Sequence, residues 1–251
     1  MFALPYAGGS ASIYHNWISR LEPFFEVCPY EYAGHASRFS EQFFSGIEEA
    51  AEDVSEWIRN HQPKDYILYG HSMGSLVALE TEFILEQKNM ALPKAVIVAA
   101  CRPPHLRGKG KQLGALSQED LMKYMISRGQ YDPEILESEE LLAILSDIMY
   151  ADIQIYAKYK RTYESGKIHV PLIALAGERD EETPPEDMEE WSRYTDHPFE
   201  FHMCKGNHFF AFNENEEFVE DLMKVSGVLV DLPKSGCSAK KHLKLVGTAL
   251  Y

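Results

Sequence analysis

At 251 residues, 45 % of them hydrophobic, the chain is long enough to bury a full core as one domain, with or without a lid. Its formal charge of −15 argues against nucleic acid and anionic membrane as partners, and no apolar run is long enough to span a bilayer. Cys28, Cys101, Cys204 and Cys237 are scattered with no CxxC pair, which argues against zinc and a disulfide framework. With no basic or long apolar leader at the N-terminus, the expected compartment is a reducing cytoplasm.

Residues 2–5 read as a short buried strand, followed by the turn Pro5-Tyr6-Ala7-Gly8-Gly9-Ser10, whose backbone N–H groups can converge on an anion. Ser10-Ala11-Ser12 then offers a cap for a helix through Trp17, Ile18 and Leu21. Val27-Cys28-Pro29-Tyr30 reads as a second strand, leaving through Ala33-Gly34-His35. Ile47, Ala50, Ala51, Val54, Trp57 and Ile58 share one helical face with acids on the other, and Pro63-Lys64-Asp65 stops that helix.

The next run, Ile67-Leu68-Tyr69-Gly70-His71-Ser72-Met73-Gly74-Ser75, reads Gly-x-Ser-x-Gly between an apolar strand and a helical pattern (Leu76, Val77, Leu79, Phe83, Ile84). A sharp strand-to-helix turn strains its central residue and lifts that hydroxyl above the sheet edge, while flanking glycines admit neighbouring backbone. Ser72 is therefore the candidate nucleophile, with the first N–H groups of the new helix aimed at whatever bonds to it.

Ala95–Ala100 is a continuous apolar run, as expected of a strand covered on both faces. Strands alternating with helices predict an α/β fold, a mainly parallel, doubly wound sheet with helices on both faces. From Arg102 to about Gly166 no strand is predicted. A basic turn (Arg102, Arg107, Lys109, Lys111) leads instead into helical patterns at Ser117–Arg128 and Pro133–Tyr163, expected to form a helical lid insertion over about residues 102–166. The sheet resumes at Val170–Gly177, before Glu178-Arg179-Asp180, and a last strand, Phe199–Met203, runs into Lys205-Gly206-Asn207-His208-Phe209-Phe210. A helix through Phe218, Val219, Leu222 and Met223 closes a domain expected over residues 1–230. Residues 231–251 form a basic tail, with Lys234, Lys240, Lys241 and Lys244 against Asp231.

A serine hydroxyl needs a base to take its proton and a third group to orient that base. Asp180 and His208 each follow a predicted strand at its C-terminal end, where ligands gather in open parallel sheets. The order Ser72, Asp180, His208 is that of α/β-hydrolases. His197 and His202 are rival bases, and Glu178, Asp187, Asp147 and Asp152 are rival acids. Ala7 N–H and Met73 N–H are the candidate oxyanion-hole donors. No metal site is expected.

Four motifs, Leu4-Pro5-Tyr6-Ala7-Gly8-Gly9-Ser10-Ala11, Gly70-His71-Ser72-Met73-Gly74, Gly177-Glu178-Arg179-Asp180 and Gly206-Asn207-His208-Phe209-Phe210, together resemble type II thioesterases. These are stand-alone companions of non-ribosomal peptide and polyketide synthases, and the resemblance holds in register over roughly residues 2–225. It implies an α/β-hydrolase fold and hydrolysis, through an acyl-enzyme, of wrong or stalled acyl groups on the phosphopantetheine arm of acyl or peptidyl carrier proteins. It implies no cofactor of the enzyme's own, since the phosphopantetheine arrives on the substrate protein. A monomer is expected. By the same resemblance, Tyr150-Ala151-Asp152 matches the family's lid-helix Ala-Asp element and puts Asp152 at the active-site region. The tail from about Asp231 has no counterpart in the family pattern. A free carboxylester hydrolase or acyltransferase shares every catalytic part, and a non-catalytic hydrolase-like binding module is the alternative from another class.

Overall fold

The computed structural model describes residues 1–22, 26–109, 111–127 and 133–212, together with Phe218 and Leu222. Six strands, β1 (Phe2–Leu4), β2 (Cys28–Pro29), β3 (Ile67–His71), β4 (Ala95–Ala99), β5 (Leu172–Gly177) and β6 (Phe199–Cys204), form one sheet in the order β2-β1-β3-β4-β5-β6. Every neighbouring pair is parallel. Parallel sheets need cover on both faces, and β3, β4 and β5 are buried along their whole length.

Side chains alternate between the two faces, as the pleat requires. Leu68, Val96, Val98, Leu172 and Ala174 pack under α2 (Ile47–His61) and α3 (Met73–Gln87). Ile67, Tyr69, Ile97, Ile173 and Leu175 face the opposite layer, built from Tyr14, Trp17 and Leu21 around α1 (His15–Leu21) with Phe210, Phe218 and Leu222. The chain steps from β1 outward to β2 and then back past β1 to β3. The loops leaving β1 and β3 therefore open on one crevice at the topological switch point, the usual ligand position in such sheets.

Between β4 and β5 lie α4 (Gln118–Ser127), α5 (Pro133–Leu136) and α6 (Glu139–Lys158). Leu121, Met125, Met149 and Ile153 form a small core of their own, against which Ala7 from the loop after β1 is packed. The helix expected over Pro133–Tyr163 is divided. Ser138 takes an extended backbone and its Oγ accepts Leu141 N–H at 3.3 Å, starting α6 afresh. Ser10 does not cap: its Oγ lies 2.6 Å from Ser12 Oγ, and the chain enters α1 through a 3₁₀ turn, Ala11–Tyr14. The second strand shrinks to Cys28–Pro29 at the sheet edge, where a residue without an N–H is tolerated. Val219, Met223, Cys237 and the tail 231–251 lie outside the described residues. No described helix is long and apolar enough to cross a membrane.

One glycine is fixed by the meeting of α3 with β1. A β-carbon on Gly74 would lie 2.7 Å from Pro5 O and closer still to Leu4 O, both backbone atoms that cannot step aside. Gly74→Ala should lower the free energy of unfolding by at least about 2 kcal/mol in denaturant titrations. Gly108→Ala, with nothing within 4 Å of the added carbon, should change it by less than about 0.5 kcal/mol. Equal effects would mean that α3 and β1 do not approach this closely.

Candidate active site

Ser72 stands between β3 and α3 with φ 50° and ψ −116°, a conformation that costs of order 1–3 kcal/mol outside glycine. The surroundings hold it there. Ser72 N–H donates to Ala99 O at 2.8 Å, and Ser75 Oγ donates to Gly70 O at 2.8 Å while accepting Ala99 N–H at 3.1 Å. A side chain on Gly70 would strike the backbone of Gly74 and Ser75. Met73 opens α3, where first-turn N–H groups have no intrahelical partner, and Ala7 lies across the crevice.

Asp180 and His208 are brought together by the loops after β5 and β6, which are themselves bonded. Glu178 N–H donates to Cys204 O and Arg179 N–H to Gly206 O, each at 2.9 Å. Gly206 takes φ +128°, and a β-carbon on Gly177 would lie 2.6 Å from Asn207 O. His208 Nδ1 is 2.9 Å from Asp180 Oδ2. Asp180 also accepts Glu182 N–H at 2.8 Å, Thr183 N–H at 3.1 Å and the Thr183 hydroxyl. Burial alone would favour the neutral acid. The His208 hydrogen bond and charge, with the Thr183 and Glu182 donors, outweigh it and hold the carboxyl below its ordinary range. It is thus an anion at neutral pH, as a group that orients an imidazole and stabilises its cation must be.

Ser72, His208 and Ala7 open onto one cavity of about 510 Å³. Tyr6 and Phe209 border it near His208, and Met125, Met149, Ile153 and Tyr156 line the side formed by the helical segment. The basic turn lies on the same wall. Arg102 Nε and Lys109 Nζ share Asp187, at 2.7 and 3.2 Å; Arg107 stacks 3.8 Å over Tyr156, and Lys111 Nζ lies 3.6 Å over Tyr124. Asp152 sits on α6 but does not line the cavity; it is buried behind the Gly8 turn.

The rivals are otherwise occupied. His202 Nε2 pairs with Glu200 at 3.0 Å and His197 Nδ1 with Asp196 at 2.8 Å. Asp147 accepts from Gln118, Asp187 holds the two cations, and Glu178 is exposed beside Arg179. Two histidines outside the predicted site prove to be structural parts of it. His71 is fully buried, accepts the Tyr69 hydroxyl at 3.2 Å on Nδ1, and donates from Nε2 to the His208 carbonyl at 2.8 Å. Burial first, then the nearby His208 charge, push its pKa down to about 3, so it stays neutral and ties the His208 loop to β3. His35 is the second, bonded to Asp152. Adjacency to Ser72 was a signal for His71; nothing in the sequence pairs His35 with a residue so distant in the chain.

The thioesterase domain family model matches residues 1–225, and the chain belongs to that family. It is 30 % identical over 226 residues to thioesterase PikA5 of Streptomyces venezuelae, covering 88 % of this chain and 79 % of that one. Linear gramicidin dehydrogenase LgrE of Brevibacillus parabrevis is 28 % identical over 222 residues, covering 87 % and 84 %. Among solved structures, the type II thioesterase BorB from the borrelidin biosynthetic cluster superposes with a TM-score of 0.78 at 26 % identity, covering 89 % of this chain and 90 % of that one.

Hydrolysis of an acyl-N-acetylcysteamine thioester should rank the candidates. Ser72→Ala and His208→Ala are expected to lower kcat by about 10⁴–10⁶-fold, and Asp180→Asn by roughly 10⁴-fold by favouring the wrong imidazole tautomer. His202→Ala and Glu178→Gln should stay within about twofold of the parent. A severe His202 defect beside a mild His208 one would move the base to His202.

Proposed function

We propose that this chain is a type II thioesterase that clears wrong or stalled acyl groups from carrier proteins of non-ribosomal peptide or polyketide synthases, acting in the cytoplasm as a monomer. The observation that carries the reading is that three of the four motifs shared with that family line one cavity, and the fourth holds His208 there through Asp180, in a chain that belongs to the thioesterase domain family. The similarity to PikA5 and BorB supports it.

In this reading His208 takes the Ser72 proton as Oγ attacks the thioester carbonyl. Ala7 N–H and Met73 N–H stabilise the tetrahedral oxyanion, each such donor being worth about 3–4 kcal/mol. Collapse expels the pantetheine thiol, which takes the proton from His208 and leaves an acyl-Ser72 ester. Water, deprotonated by His208, then attacks that ester through the same oxyanion site and releases the acid. Asp180 stays ionised throughout. The helices of residues 102–166 act as the lid, and no cofactor is needed because the phosphopantetheine is part of the substrate.

Carrier proteins are commonly acidic, and so is this chain, so long-range attraction does not bring them together. We assign docking to the basic turn at the cavity, with Arg107, Lys109 and Lys111 meeting the carrier's acidic face or the phosphate at the base of the arm. A panel of acyl-carrier protein, acyl-pantetheine and simple carboxylesters, compared by kcat/KM, tests both ideas. Acyl-carrier protein should be preferred by at least about tenfold, and reversing the three cations to glutamate should remove that preference. A preference for free esters would establish the carboxylester-hydrolase alternative instead.

A further inference from the structure

The helical segment and the loop after β1 meet at one buried carboxylate that the proposed chemistry does not consume. Asp152 Oδ2, on α6, accepts Gly8 N–H at 2.7 Å and lies 3.0 Å from His35 Nε2. The other ring nitrogen, His35 Nδ1, is 3.1 Å from Ala33 O. A carbonyl and a carboxylate both accept, so this geometry is that of an imidazolium donating from both ring nitrogens. His35 is 2 % exposed and Asp152 4 %, so each buried charge depends on the other. Glu31 adds a second negative charge near His35, whereas Tyr32 and Phe43, whose rings face it, are neutral.

Gly8 follows Ala7, the candidate oxyanion donor. The turn closes through Gly9 N–H to Tyr6 O at 2.9 Å, and Gly8 takes φ +77°. On its other side α6 presses close: a β-carbon on Gly8 would lie 2.5 Å from Met149 Cε. The Ala7–Gly8 peptide, next in the chain to the one that carries the Ala7 N–H, is therefore held by α6, while Gly9 N–H holds the Tyr6 carbonyl on the other side of Ala7.

We infer that Asp152 and His35 are positioning residues: the carboxylate, neutralised by the imidazolium, clamps Gly8 N–H and so orients Ala7 N–H toward the oxyanion while α6 is docked. This rests on the acyl-transfer reading of the site, and it gives Asp152 a role other than lining the substrate region. Oxyanion donors act only within about 2.7–3.1 Å of the developing charge, so a small rotation of this turn is enough to weaken catalysis without weakening ground-state binding.

The clamp has a pH signature. Burial works against the cation, but the Asp152 hydrogen bond and charge, then Ala33 O and Glu31, lift His35 above the ordinary histidine value. The imidazolium's part of the clamp is present below that raised pKa and is lost as pH rises through it, when one ring nitrogen must stop donating. Tyr6, on the same turn, is pushed up to about 12 by burial and does not titrate below pH 10.

The test uses the full chain, an acyl-N-acetylcysteamine thioester and a trifluoromethyl ketone analogue of the tetrahedral intermediate. The parent's kcat should fall on the alkaline side. Asp152→Ala should lower kcat and weaken the analogue by the same factor, roughly 10–10²-fold, with KM within about twofold. His35→Gln should give a low kcat with no alkaline fall, and His35→Lys, a cation through pH 9, should restore the rate and carry it to higher pH. If Asp152→Ala does not fold, the two His35 variants decide the matter alone. Losses in KM only, an unchanged analogue affinity, or an alkaline fall that survives both His35 variants overturns the inference. A parent chain with no thioesterase turnover would instead reject the functional reading beneath it.

Discussion

The carbonyl oxygens of Leu4 and Pro5 lie where a side chain on Gly74 would have to be, and the site is built outward from that contact. It brings the first turn of α3 against the end of β1, so Ser72 at the head of α3 and the glycine turn after β1 become neighbours. The strand order supplies the same result at larger scale, because β1 and β3 flank the point where the chain reverses its direction across the sheet. The strained backbone of Ser72 is held by Ala99 O, while Ser75 ties Gly70 to Ala99 beneath it. None of these bonds uses the Ser72 hydroxyl, so the turn is held without it.

Around that centre the electrostatics are divided. Asp180 is buried yet held ionised by four donors, and His71 is buried and held neutral, which leaves His208 as the candidate base beside Ser72. His35 belongs to a separate layer, where it faces the buried Asp152 carboxyl, whose hydrogen bond and charge raise its pKa against burial. The chain as a whole is strongly acidic, but its basic turn is gathered on the cavity wall. Charge is therefore placed according to local task, and the net value says little about what meets the cavity.

Much of this was legible in the residues. Gly70, Ser72 and Gly74 declare the elbow because only one backbone geometry uses that spacing between an apolar strand and a helix. Chain order and the preceding strands single out Asp180 and His208 as candidates, and the structure places them 2.9 Å apart beyond the ends of β5 and β6. What was hidden depends on contacts between distant segments. The competition at Ser138 between continuing a helix and capping a new one is invisible to periodicity, and so is the loss of most of β2 beside Pro29. His35 and Asp152 sit in unrelated stretches, and only the docking of α6 on the Gly8 turn makes them a pair.

The central claim is that Ser72 is the nucleophile of an acyl-transferring site. Its most direct test is to treat the native chain with a serine-directed fluorophosphonate and locate the adduct by peptide mass spectrometry. The account predicts one adduct per chain, on Ser72, and none after denaturation, when the elbow and its base are gone. An adduct on another serine such as Ser75, or an unmodified native chain, would contradict it.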